Sequence, residues 1–213
     1  MNNMRRETVL KIVGLLKVEL DKGFTILEIS KKLRIGYRPA YNHIIELEKQ
    51  RVIIIKIVGR AKQSFLNLDS PKCLYFLQEI DLIRKEALYE KNQKLKAVLD
   101  SLISKTAGKF MAEIHSIILF GSFAKDTATK NSDVDLMFIV SNLKNKPVRE
   151  IIEQECGSYH YSHNLEVSPL ITDLEEFKKM LKAKEMNVGK ETKEYGIPIY
   201  GSEQFWRLVA WKE

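Results

Sequence analysis

Two aspartates one residue apart, Asp133 and Asp135, stand at the head of the apolar run "VDLMFIV". Alternation along a strand sends both carboxylates off one face, while Val134 and Leu136 enter the other. Two like charges that close repel each other, raise one pKa and burden a bare strand. A divalent cation removes that objection. Mg²⁺ is held by one or two carboxylates plus substrate phosphates, and a pair of such ions clamps the attacking and leaving oxygens of phosphoryl transfer. The plain alternative is two strand-end aspartates that face water.

What precedes the pair bears on the choice. Upstream of Asp133 the apolar run "IHSIILF" (114–120) suits a buried strand and stops at Gly121-Ser122, from which ten residues lead to Asp133. A glycine there permits a tight turn and the close approach of a ligand, and the next segment can open a helix whose free N–H groups attract phosphate. Ser122 adds a hydroxyl donor. "GSFAKD" is neither a Walker A loop nor a GxGxxG fingerprint.

Gly121-Ser122, ten residues, then Asp133-Val134-Asp135 resembles the motif of the DNA polymerase β-like nucleotidyltransferase superfamily, above all its minimal branch. The likeness spans about residues 107 to 208. It implies an α+β domain with a mixed sheet, in which Gly121 and Ser122 hold a nucleoside triphosphate, with ATP favoured. Asp133 and Asp135 would hold Mg²⁺, two ions in all, and a third carboxylate would complete the metal and catalytic set. Glu166 in "NLEVSPLIT" is the candidate, an acid flanked by Leu165 and Val167 on a short strand. The reaction implied is attack by an acceptor hydroxyl on the α-phosphorus, with pyrophosphate leaving. Glu166 would hold metal or accept the hydroxyl proton. The sequence departs from the family at Asp126, where a glycine is usual, so the loop must turn on a residue less suited to left-handed geometry. "HYSH" (160–163) lies before the third acid; it lacks the HExxH pattern of a zinc helix, and loop residues without a role are the simpler reading.

The elements that must carry these residues follow from periodicity. Val9, Ile12, Val13, Leu16 and Leu20 give a first amphipathic helix. In "TILEISKKL" Thr25 and Glu28 form a capping box, with Ile26, Ile29 and Leu33 facing one way. "RPAYNHIIELEKQ" reads as a third helix with Pro39 in its first turn, burying Ala40, Ile44 and Leu47. "VIIIKIVGRAKQSFLNL" then gives a hairpin with a basic tip. His43, between helix positions that pack, reads as a packed or edge histidine.

Three helices and a two-stranded ribbon over residues 5 to 69 resemble the winged helix-turn-helix family of DNA-binding domains. The resemblance puts the third helix in the major groove with Arg38, Tyr41 and Asn42 toward the bases, and Arg60 and Lys62 of the wing on phosphate. A module for protein contact or dimerisation is the alternative. Residues 71 to 105 are rich in helix formers, with no glycine or proline after Pro71, and read as one long helix or two. The stripe Leu74, Leu77, Ile80, Ile83, Leu88, Leu95, Val98 and Leu102 suits packing or a homodimer contact but falls short of a heptad seam. The expected domains are therefore 1–70, a winged helix; 71–106, a helical connector; and 107–213, the nucleotidyltransferase domain. In the last, "DLEEFKKMLKAKEM" reads as a helix capped by Asp173.

Composition agrees with two different jobs. Of the 213 residues, the first 105 carry 21 Lys+Arg against 12 Asp+Glu, and the remainder 14 against 16. A front half of net +9 suits a polyanion, though lysines also serve as solubilising charge. Cys73 and Cys156 lack paired spacing, so neither a disulfide framework nor a zinc ribbon is indicated, which fits a reducing, cytoplasmic setting. The start "MNNMRRETVLKIVGLL" is an incomplete secretory pattern, and no apolar run is long enough to span a membrane. Three readings result. The first is an active enzyme with a protein, RNA-end or small-molecule acceptor. Minimal members of the family include antitoxins that adenylylate a small helical toxin, which implies such a partner. The second is a DNA-binding regulator whose rear domain only senses nucleotide. The third, a scaffold, leaves the Gly-Ser turn and the acids unexplained.

Overall fold

The computed structural model describes residues 3–163 and 165–210, with side chains for 6–159 and 165–210; the side chains of "HYSH" lie outside the described residues. The chain divides into two compact units, Met1–Ile80 and Asp81–Glu213.

The first unit contains α1 (Asn3–Val18), α2 (Ile26–Leu33), α3 (Tyr37–Lys49) and the hairpin β1 (Ile53–Val58) and β2 (Ala61–Leu66). Val9, Ile12, Val13 and Leu16 of α1 meet Ile29 of α2 and Ala40, Ile44 and Leu47 of α3 in its core, all buried. The capping box forms: the Glu28 backbone N–H donates to Thr25 Oγ1 at 3.2 Å, and the Thr25 N–H donates to Glu28 Oε2 at 2.8 Å. Pairing of Val58 with Ala61 leaves a two-residue loop, Gly59-Arg60. Gly59 takes φ +61°, the left-handed first position that such hairpins reserve for glycine. Phe24 adds one more rung, donating to and accepting from Ser64 at 3.1 and 2.8 Å.

The helical stretch is two helices, α4 (Pro71–Lys91) and α5 (Gln93–Lys105), parted at Asn92, whose backbone leaves helical geometry at φ −136°, ψ 73°. The boundary between the compact units thus falls inside α4. Leu74, Leu77, Leu88, Leu95, Val98 and Leu102 of the expected stripe are buried, whereas Ile83 is half exposed.

The second unit is built on a four-stranded mixed sheet, ordered β5-β4-β3-β6. Its strands are β3 (Ile114–Leu119), β4 (Val134–Val140), β5 (Val167–Asp173) and β6 (Ile197–Tyr200). β4 runs antiparallel to β3 and parallel to β5, and β6 runs antiparallel to β3. The helices are α6 (Gly121–Ala124), α7 (Lys146–His163), α8 (Leu174–Lys182), α9 (Val188–Tyr195) and α10 (Ser202–Ala210). Leu136, Phe138 and Val140 share one core with Val98 and Leu102 of α5 and Ile152 and Cys156 of α7. The alternate residues Met137 and Ile139 leave the opposite face, which α8 and α10 cover. Both faces of β4 are therefore dry, which is why its sequence is apolar at every position after Asp135 rather than alternating. Asp173 caps α8, accepting from the Glu176 N–H at 2.8 Å. Among the described residues no helix is long and apolar enough to cross a membrane.

Both cysteines are buried, and burial pushes each thiol up to about 12. Since the thiolate is the nucleophile, neither should be alkylated by iodoacetamide at pH 8 in the native protein, and both should react after denaturation. Mass spectrometry of the labelled protein checks this directly.

Candidate active site

The site sits where β3 ends and β4 and β5 begin. Antiparallel pairing of Leu119 with Leu136 and parallel pairing of Val134 with Val167 put these three strand ends at the same edge of the sheet. Gly121 leaves β3 at φ +66°, and a Cβ built there would run into the carboxylate of Asp135. The position needs glycine twice over, for the left-handed turn and for that close approach. The Phe120 N–H donates to Asp135 O at 3.0 Å, fixing the turn against the start of β4. Ser122 follows in the single turn of α6, whose leading N–H groups have no intrahelical partners. Its hydroxyl has no partner among the described residues.

Asp133 is exposed and Asp135 half-buried. Partial burial, then the charge of Asp133, then that of Glu191 raise the Asp135 carboxyl above its ordinary value. No hydrogen bond or ion pair among the described residues engages the side chain of Asp133, Asp135 or Glu166. Glu166 is exposed and stands one residue ahead of β5, where its carbonyl accepts from the Val134 N–H at 2.8 Å. Carried one residue beyond the paired strands, the β4–β5 register sets the backbone of Glu166 opposite that of Asp133. Among the described residues, however, no three histidine, cysteine or acidic side chains gather into a group that could hold a metal. The donor set that fits a hard cation is the aspartate pair. Oxygen ligands from one or two carboxylates, completed by substrate phosphates and water, are what Mg²⁺ accepts.

A cleft of about 560 Å³ opens next to these residues. Phe123, Leu165, Leu88 and Leu95 give it apolar walls, Lys94 and Lys130 bring charge, and Ser132 abuts Asp133. Several residues with no motif to announce them also shape the site. Lys125, inside "GSFAKD", pairs with Glu191 of α9 at 2.6 Å. From α4, Arg84 donates to carbonyls at the end of α6 and before β6, and Lys91 pairs with Asp126. Sequence reasoning missed all four because Arg84, Lys91 and Glu191 on helices, and Lys125 in a loop, read as solvated charge.

The residues expected at a DNA interface belong to the other unit. Arg38, Tyr41 and Asn42 are exposed on α3, and Arg60 and Lys62 are exposed on the hairpin.

Residues 101–194 match the family model described as "Polymerase beta, Nucleotidyltransferase". A Methanocaldococcus jannaschii protein named "Putative protein adenylyltransferase" is 35% identical over 85 residues, 37% of this chain. The chain spans about half of that relative, 55% of its length. No solved structure matches. The family match encloses the Gly-Ser turn, both aspartates and Glu166.

Proposed function

We propose that the rear unit is a Mg²⁺-dependent nucleotidyltransferase, moving AMP from ATP to a hydroxyl acceptor. The observation that carries this reading is the unpaired Asp133–Asp135 couple pressed against a left-handed Gly121-Ser122 turn. Neither carboxylate has a cationic partner among the described residues, and that of Asp135 is half-buried against a glycine that has no room for a side chain. The family match supports the reaction type. The relative's name supports ATP as donor and a protein as acceptor, with an RNA end or small molecule as the other acceptor classes.

In this reading the Ser122 hydroxyl and the first backbone N–H groups of α6 orient the triphosphate, and Asp133 and Asp135 are the residues that would hold Mg²⁺. The cation would supply neutralisation of the phosphate charge. The acceptor oxygen forms a bond to the α-phosphorus as the bond to the pyrophosphate oxygen breaks. The electron pair departs with pyrophosphate, and the acceptor proton passes to Glu166 or to water. Most of the acceleration comes from holding reactants in line and countering charge, since phosphoryl transfer leaves a protein little covalent work.

The test is transfer of label from [α-³²P]ATP with Mg²⁺ in cell extract. Label on a macromolecule, lost to protease or to nuclease, supports the enzyme and names its acceptor class; a small helical protein encoded nearby is the first purified acceptor to try. No label and no pyrophosphate with any acceptor would favour a nucleotide sensor instead.

We propose further that the front unit is a winged helix that binds DNA. The exposure of Arg38, Tyr41 and Asn42 on α3 and of Arg60 and Lys62 on the hairpin supports this, together with the basic balance of that half. Binding should weaken steeply with salt. Arg60→Ala with Lys62→Ala should lower the slope of log affinity against log salt by about 2, near one counterion per lost phosphate contact. An unchanged slope and affinity, with Arg38→Ala also neutral, would remove DNA as the ligand.

A further inference from the structure

The loop that carries Gly121 and Ser122 ends in a Schellman motif. The Thr127 N–H donates to Ser122 O at 3.0 Å and the Asp126 N–H to Phe123 O at 3.4 Å, with Asp126 in the left-handed region at φ 58°. This position normally belongs to glycine, and aspartate occupies it at a conformational cost that a favourable contact can offset. Lys91 reaches both oxygens of the Asp126 carboxylate, at 3.1 and 2.9 Å. Two helical turns earlier on α4, the Arg84 guanidinium donates to Ala124 O at 3.2 Å, a carbonyl at the end of α6 that the motif leaves without a backbone donor. The same guanidinium donates to Tyr195 O at 2.7 Å and Gly196 O at 2.8 Å, where the chain turns from α9 into β6. Arg84, Leu88 and Lys91 follow the spacing of one helix face, and Leu88 is buried between the two cations.

We propose that α4 is a clamp for the nucleotide loop, with Arg84 and Lys91 as positioning residues that hold residues 124–126 and thereby set the place of Gly121 and Ser122. The two contacts divide the work. Arg84 ties loop backbone to the α9–β6 turn, and so fixes α6 against the sheet edge that bears Asp135. Lys91 stabilises an aspartate in a glycine's conformation, so Asp126 and Lys91 function as a matched pair. The clamp makes sense of the departure from the family pattern at Asp126.

The clamp's effect on kinetics rests on the nucleotidyltransferase reading, so the test joins kinetics to a measurement that needs no catalysis. The first readout is amide exchange of residues 121–127 in the nucleotide-free protein, by mass spectrometry. Arg84→Ala and Lys91→Ala should both speed exchange there. In steady-state transfer, Lys91→Ala should raise the KM for nucleotide by about threefold, the scale of an exposed ion pair. Arg84→Ala, which loses three charged hydrogen bonds, should raise it by about tenfold or more, with kcat changed far less. Adding Asp126→Gly to Lys91→Ala should return KM and exchange to near the parent values, because glycine needs no prop. A purely structural role would lower Tm without this rescue. Unchanged exchange in both single variants, or a Lys91→Ala defect that Asp126→Gly leaves in place, overturns the clamp. Should the parent transfer no nucleotide, the proposed function falls while exchange still decides the clamp. If Arg84→Ala does not fold, the exposed positions 91 and 126 carry the test alone.

Discussion

Asp135→Asn is expected to lower nucleotidyl transfer by about 10³-fold or more while leaving the cation-free protein at least as heat-stable as its parent. The loss follows from the role assigned to the carboxylate. A metal site supplies several kcal/mol of transition-state charge stabilisation, and each 1.36 kcal/mol is a factor of ten in rate. The stability result follows from the raised carboxyl of Asp135, whose causes are burial and the charges of Asp133 and Glu191. An acid with a raised folded pKa holds its proton more tightly when folded than when unfolded. Its ionisation therefore costs stability: nothing below the unfolded pKa, more as pH rises toward the folded one, and the full amount above it. Asparagine removes that cost. Mg²⁺ with a non-hydrolysable ATP analogue should raise the Tm of the parent and not that of the variant. A variant that melts several degrees lower without cation would mean that Asp135 is a structural residue.

Gly121→Ala is expected to cost about 10²-fold in transfer and several degrees in Tm. A residue with a Cβ loses roughly 1–2 kcal/mol in the left-handed region, and a unit of this size loses roughly 3–6 °C per kcal/mol. Here strain is joined by collision, because the new methyl meets the Asp135 carboxylate. Either the loop or the aspartate must move, and a misplacement of about 1 Å is enough for a 10²-fold loss. Gly59→Ala is the control. Gly59 has nearly the same φ, +61°, but a Cβ there meets nothing within 4 Å. It should carry the strain in the front unit without the loss of transfer. Equal activity in the two variants would contradict the close packing of turn and carboxylate.

Much of this was legible in the sequence because the signals are local. The Thr25–Glu28 capping box, the Asp173 cap and the burial of Ala40, Ile44 and Leu47 each depend on residues within a turn or two of one another. The Gly-Ser turn and Asp133-Val134-Asp135 were readable for the same reason, since strand alternation fixes which side chains share a face. The break of the long helix at Asn92 was not, because no glycine or proline marks it and Lys, Gln and Asn are all tolerated in helices. Nor was the exposure of Ile83, which fits the apolar stripe by spacing but meets no partner surface. Glu166 was read from its type as part of a short strand, whereas it stands one residue ahead of β5. That its backbone comes level with Asp133 follows from the parallel β4–β5 register carried one residue further, which no spacing between the two segments encodes. Arg84 and Lys91 lie 40 and 35 residues from the backbone and carboxylate they hold in the nucleotide loop, and a contact across that distance leaves no periodic trace.

The most direct measurement is a crystal structure with Mn²⁺ and a non-hydrolysable ATP analogue, with anomalous scattering used to locate the cation. An anomalous peak bound by Asp133 and Asp135 is expected, with the triphosphate lying along Gly121 and Ser122. A nucleotide bound elsewhere, or bound at the turn while both aspartates remain without a cation, would contradict it.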